Sequence, residues 1–230
     1  GDEVKRGQLI AAPAGLGANI HSSVSGVVKE INDTAIIIEA FDEQSRDFIP
    51  IKKTKDHLEA IKEAGIIGSG GAGFPAHVKF KTDLSGGCII ANAAECEPIL
   101  LHNIAYLEQN PDVIIRGIKY LMEITNARTG YIAIKVKNLK AIKAINKVLK
   151  PEDNISIKIL PDMYPAGDER VIVREILGVE LKPGELPSVA NAVISNVETV
   201  KNVTLAIEQR KPVIDKDLTV VGRVKNALKG

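Results

Sequence analysis

The chain has 230 residues, 45% of them hydrophobic and 26% charged, with 30 basic against 29 acidic side chains and a formal net charge of +1. That length and composition allow one ordinary core plus a smaller one, and charges of both signs interspersed along the chain leave no electrostatic footprint for a phosphate backbone or an anionic membrane surface. Aromatic residues at 3%, with no Trp, also remove the stacking platforms of single-strand binders, so nucleic acid is not an expected partner.

Residues 1 to about 50 alternate short β-branched runs with glycine punctuation (GQLIAAP, SSVSGVVKEI, TAIIIEA), which predicts a small β unit. From Asp56 the period changes. Leu58, Ile61 and the Ala60/Ala64 pair fall on one helical face, and Gly65 suits the C-terminal cap. A glycine-rich loop follows, Gly68-Ser69-Gly70-Gly71-Ala72-Gly73, and then Phe74-Pro75, with Pro75 suited to open a short helix. Beyond it strand-like and helix-like segments alternate. The strands are CIIANA, YIAIKV, ISIKIL and AVISN; the helices are one long stretch from Ile104 to Ile124, LKAIKAINKVL, ERVIVREIL and VETVKNVTLAIEQ. Four apolar strands separated by helices imply a mainly parallel sheet covered on both faces. After Pro212 the pattern returns to β. The expected division is therefore a β module over 1–55, an α/β domain over 56–211 and the start of a further β domain over 212–230, in what reads as a piece of a longer protein.

No apolar run approaches the roughly 18 residues that cross a bilayer, and no basic-then-apolar leader opens the chain, so no transmembrane segment is expected. Cys88 and Cys96 are too few for a disulfide framework or for an iron–sulfur cluster, and a reducing compartment fits best. The four histidines show no ligand spacing, so no metal site is expected. His57 is expected on an exposed helix face and Cys96 as a buried small residue.

The glycine run satisfies G-x-G-x-x-G, but a helix precedes it, whereas the dinucleotide fingerprint needs a strand before and a long helix after. An ordinary Rossmann phosphate loop is therefore not expected. The glycines still let backbone approach a flat or phosphorylated ligand without Cβ interference and expose N–H groups to anions; a hinge loop is the plainer alternative. Lys79 could neutralise a phosphate, or lie on the surface as most lysines do. Parallel sheets bind ligands outside the carboxyl ends of their strands. There the first strand runs into Asn92-Ala93-Ala94-Glu95-Cys96-Glu97-Pro98, the third into Tyr164-Pro165-Ala166-Gly167-Asp168-Glu169 and the fourth into Ser195-Asn196-Val197-Glu198-Thr199. Asp168 could equally cap a helix, and Ser195-x-x-Glu198 reads as a capping box. Hydrolase and phosphotransferase motifs are missing.

Taken in order, GSGGAGFPAHVKF, NAAECEP, YPAGDE and SNVET closely resemble the RnfC-like family of Rnf electron-transport complexes and, more distantly, the NADH-binding flavoprotein subunit of respiratory complex I. GYIAIKV and MYPAGDERVIVREILG lean towards soluble relatives, the cobalamin reductase of propanediol utilisation and the electron-transfer protein of proline reductase. The resemblance covers nearly the whole chain. It implies a complex I flavoprotein-like α/β domain, preceded by a barrel-sandwich module of biotinyl/lipoyl type and followed by an SLBB-type β-grasp domain, of which only 212–230 fall in this chain. Between the module's strands the sequence is AGLGANIHSS, without the hairpin lysine of a swinging-arm carrier, so that module is expected to be structural.

The resemblance further implies non-covalent FMN with NADH stacked upon it. FMN contacts carried over by motif are Gly68, Gly70, Gly71, Lys79, Asn92, Glu95, Gly167, Asp168, Glu169, Asn196 and Thr199; Phe74, Glu97 and Glu169 would line the NADH side. Val at Gly70 or Gly71 is expected to abolish flavin binding. Two departures reduce the expected contacts: Ala94 stands where the complex I flavoprotein has an acidic residue, and Ser195 replaces the first Asn of an Asn-Asn pair. The 4Fe-4S clusters of the family are expected only in a C-terminal region outside this chain. The implied function is NADH oxidation through FMN towards those centres, with other subunits or acceptor proteins as partners, in the cytoplasm or peripheral to a membrane complex. The same chemistry serves a cobalamin reductase or a proline-reductase-linked donor, and a docking scaffold without flavin is the alternative of another class.

Overall fold

The protein, seen here as a computed structural model, is described over residues 1–97 and 99–224. The amino-terminal β unit contains β1 (Glu3–Val4), β2 (Leu9–Ala11), β3 (Ile20–His21), β4 (Gly26–Ile31) and β5 (Ile36–Ala40). An antiparallel β1-β4-β5 sheet accompanies a separate β2-β3 pair. The β4–β5 turn is closed by Asn32, whose Oδ1 accepts from the N–H groups of Thr34 and Ala35 at 3.1 and 2.9 Å, as turn asparagines do.

The remainder is an α/β unit: α1 (His57–Glu63), α2 (Ala76–Lys79), β6 (Cys88–Ala93), α3 (His102–Gln109), α4 (Pro111–Thr125), β7 (Thr129–Lys135), α5 (Leu139–Val148), β8 (Ile155–Leu160), α6 (Glu169–Leu177), β9 (Ala192–Asn196) and α7 (Val197–Gln209). The four strands are parallel in the order β8-β7-β6-β9. Their side chains alternate between two cores. Ile89, Ala91, Ile132, Ile134 and Val193 face a large cluster under α1, α4, α5 and α7, while Ile90, Ala133, Ala192 and Ile194 face a smaller one closed by Ile172 and Val173 of α6. The chain steps from β6 to β7 and β8 on one side and then returns to β9 on the other. This reversal makes the β6/β9 boundary a topological switch point, where open α/β sheets form their crevice.

Four expectations need correction. The stretch Ile104–Ile124 is two helices, because Pro111 opens α4 and cannot continue α3, and Asn110 leaves helical geometry at φ −134°, ψ 51°. Ser195 is not a cap: it is a buried strand residue opposite Ala91, and Asn196 caps α7 by accepting from the Glu198 N–H at 2.8 Å. His57 is half-buried, edge-on to Tyr120 with ring centroids 5.1 Å apart. The β pattern expected after Pro212 is not formed as far as Val224, and its remaining residues lie outside those described.

Helices α4 and α7 meet at Gly117, where a Cβ would stand 2.6 Å from Thr204 Oγ1 and from Val200 Cγ1 and 2.7 Å from the Val200 carbonyl oxygen. Backbone cannot yield there as a flexible side chain would. Gly117→Ala should therefore destabilise the protein by about 1–3 kcal/mol. Equilibrium urea unfolding measures this; an unchanged midpoint would mean that the helices separate without cost.

Candidate functional site

A cleft of about 470 Å³ opens outside the carboxyl ends of β6 and β9, within the roughly 300–1,000 Å³ usual for small-molecule sites. Parallel register sets Asn92 of β6 directly opposite Asn196 of β9. Three chain segments wall it. The glycine loop contributes Gly68, Ser69, Gly70 and Ala72 and leads to Lys79 and Phe80; the segment after β6 contributes Ala94, Glu95, Cys96, Glu97 and Leu100; the return from β8 contributes Gly167 and Glu169. Ser195 and Thr199 complete the rim.

Hydrogen bonds stitch these segments together. Thr199 Oγ1 accepts from the Ser69 N–H at 2.9 Å, which ties the glycine loop to α7. Asn92 donates from Nδ2 to the Gly167 carbonyl at 2.9 Å and accepts at Oδ1 from the Ala94 N–H at 2.9 Å, so one strand-end amide fixes both neighbouring loops. Across the mouth Lys79 Nζ lies 3.1 Å from Glu169 Oε1. Asn103, buried in α3, donates to Glu95.

Gly70, Gly71 and Gly73 take φ of +77°, +94° and +61°, left-handed values that favour glycine. Among the described residues the N–H groups of Gly70, Gly71 and Ala72 have no hydrogen-bond partner, in contrast to those of Gly68, Ser69 and Gly73. A Cβ on Gly70 would come 3.3 Å from the Asn196 side-chain nitrogen; one on Gly167 would come 2.0 Å from the Ala94 carbonyl oxygen and 2.9 Å from Cys96 Sγ. Backbone donors at one end, amides and carboxylates along the edges and glycines where a side chain would intrude are a donor set that fits a flat phosphorylated ligand such as FMN.

The cleft brings together most of the residues singled out in the sequence. Three stand apart from its lining. Asp168 is occupied as the cap of α6, accepting at Oδ1 from the Arg170 and Val171 N–H groups at 2.9 and 3.4 Å. Gly71 turns its free side outward, with nothing within 4 Å of a built Cβ, and Phe74 is 42% exposed beyond the loop. Conversely, Ser69, Ala72, Phe80 and Leu100 line the cleft although no motif marked them; for Ser69, its place inside the glycine run was the only signal. Cys96 is half-buried in the wall rather than buried, while burial of Cys88 in the sheet pushes its thiol up to about 11. Among the described residues no group of three His, Cys, Asp or Glu side chains is placed to hold a metal ion, and no helix is long and apolar enough to cross a membrane.

A parallel sheet with a glycine-cradled cleft at its switch point defines a flavin- or nucleotide-binding α/β domain. The chain belongs to the Nuo51 FMN-binding domain family, whose model matches residues 61–205, and residues 1–52 match the RnfC barrel sandwich hybrid domain. It is thus a member of a group of FMN-binding electron-transfer proteins. It is 43% identical over 170 residues to the cobalamin reductase PduS of Salmonella typhimurium, covering 74% of this chain and 37% of that protein. It is 35% identical over 241 residues to the RnfC-type component of the proton-translocating ferredoxin:NAD(+) oxidoreductase complex of Clostridium ljungdahlii, covering 96% and 52%. The chain therefore spans about half or less of these relatives. Among solved structures, the NAD+-reducing [NiFe]-hydrogenase in the air-oxidized state shares the fold, with a TM-score of 0.58 at 22% identity over 66% of this chain and 30% of that one.

Proposed function

We propose that the cleft binds FMN and oxidises NADH, and that the electrons pass to iron–sulfur centres elsewhere in the full protein or its complex. The observation that carries this reading is the pairing of unpartnered loop N–H groups with an amide- and carboxylate-lined cleft at the sheet's switch point. Bound FMN would supply hydride acceptance from NADH and one-electron release to a metal centre. The protein's own work is orientation and charge. The N–H groups of Gly70, Gly71 and Ala72 and the Lys79 ammonium would hold the phosphate. Asn92, Glu95 and Asn196 would hydrogen-bond the polar edges, and Glu97 with Glu169 would meet the ribose hydroxyls of NADH. No protein base is needed, because hydride transfer moves no separate proton at the first step.

Reconstitution with FMN, gel filtration and a visible spectrum, followed by anaerobic NADH titration, tests the proposal. Co-eluting flavin that NADH bleaches is expected. Flavin lost on the column would favour a docking scaffold, and bound flavin that NADH leaves oxidised would remove the NADH part. A second reading, in which the acceptor is a cobalamin, is favoured by the 43% identity to a cobalamin reductase. Acceptor assays on the full-length protein separate it from transfer to a protein partner.

A further inference from the structure

Beyond α7 the chain does not leave the domain but runs back over it. The Val213 N–H donates to the Ala64 carbonyl at 2.9 Å, and Asp215 pairs with Arg6 of the β unit at 2.5 Å. The next residues reach two buried charges. Glu198, 2% exposed in the first turn of α7, receives Lys216 Nζ on one carboxylate oxygen and the Asp217 N–H on the other at 3.2 Å. Lys201, 6% exposed one turn further, reaches Asp217 Oδ2 at 2.5 Å and lies 5.0 Å above the Tyr106 ring of α3. Buried charges need such partners, and here the partners come from residues 216–217.

Thr219 ends this run on α3. That helix has no side-chain cap of its own. Instead Thr219 Oγ1 accepts from the Leu101 N–H at 3.1 Å and the His102 N–H at 3.2 Å, and it lies 3.1 Å from His102 Nδ1. A hydroxyl has one donor and two acceptor positions. With both acceptor positions taken by backbone, its proton goes to Nδ1, which places the His102 proton on Nε2. Thr219 thus caps a helix from 117 residues away in sequence.

Both anchors lie directly behind the cleft. Glu198 adjoins Thr199, whose hydroxyl holds the glycine loop at Ser69, and His102 adjoins Asn103, which donates to Glu95. We propose that residues 216–219 are a positioning strap that holds the two walls of the cleft in register for FMN, with Thr219 its decisive positioning residue on the Glu95 side. This rests on the reading of the cleft as an FMN site. The strap lies beyond residues 61–205 of the FMN-binding domain, and it ties whatever follows it in the chain to the geometry of the cleft.

The test uses the parent chain, Thr219→Val, which keeps shape and removes the hydroxyl, and Thr219→Ser, which restores it. Two readouts are taken: amide hydrogen exchange across residues 94–103 in protein without FMN, and FMN affinity from quenching of flavin fluorescence. The Val variant should exchange faster in that stretch, with the rest of the chain unchanged, and bind FMN about tenfold more weakly, the loss expected of a missing helix cap. The Ser variant should return both to parental values. Parental exchange over 94–103 in the Val variant overturns the strap, and so does faster exchange with parental FMN affinity. Failure of the parent to bind FMN removes the flavin reading instead, while the exchange measurement still decides the strap.

Discussion

Gly167→Ala and Gly70→Val should each abolish FMN retention while leaving the fold intact. At Gly167 the added methyl would stand 2.0 Å from the Ala94 carbonyl oxygen, far inside van der Waals contact, and 2.9 Å from Cys96 Sγ. Relief requires the segment that carries Glu95 and Glu97 to move off the β8–α6 return, and with it the bond from Asn92 to the Gly167 carbonyl. At Gly70 a branched side chain must adopt φ +77° and projects towards the Asn196 amide, 3.3 Å from its Cβ position. Strain of about 1–3 kcal/mol for the left-handed conformation adds to the lost space. Gly71→Val is the internal control. It suffers the same backbone strain at φ +94° but points its side chain away from the cleft, with nothing within 4 Å. Equilibrium dialysis with FMN and thermal melts of all three variants check this. A Gly71 variant as poor as Gly70, or a Gly167 variant that retains flavin, would mean that the cleft is not where FMN sits.

The contrast between Gly70 and Gly71 marks where reading from sequence stops. Both satisfy the same motif, and only the direction of the missing Cβ separates them. The strands were legible because apolar runs such as CIIANA are buried on both faces and flanked by polar ends, and the helices because their apolar residues repeat on one face. The Asn110-Pro111 break was written in the sequence too, but the apolar period continues across it and hides the proline's missing N–H. The capping box at Ser195 failed for a tertiary reason. Pairing of Ser195 with Ala91 keeps it in the strand, so the next residue takes the cap. Thr219 had no local signal at all, since a cap supplied across 117 residues of sequence follows no spacing rule.

NADH should reduce the bound flavin on the order of a hundredfold faster than NADPH at equal concentration, because Glu97 and Glu169 line the same cleft and would face the extra 2′-phosphate. Like charges brought together in a partly desolvated site repel by several kcal/mol; exposure of the Glu169 side chain to 44% screens part of this. The ion pair to Lys79 sharpens the expectation for Glu169→Gln. That change removes a negative charge and also releases the Lys79 ammonium, now 3.1 Å from the carboxylate, to attract the phosphate. Both effects act in the same direction, so the ratio of rates should fall by about tenfold or more, mainly through faster reduction by NADPH. If Glu169 served only as a favourable charge in the first turn of α6, substitution would alter stability slightly and leave the ratio alone. Rapid-mixing measurements of flavin bleaching with each nucleotide decide the matter. Equal rates in the parent, or an unaltered ratio in the Gln variant, would return Glu169 to a purely helical role and leave discrimination against NADPH to be explained elsewhere in the cleft.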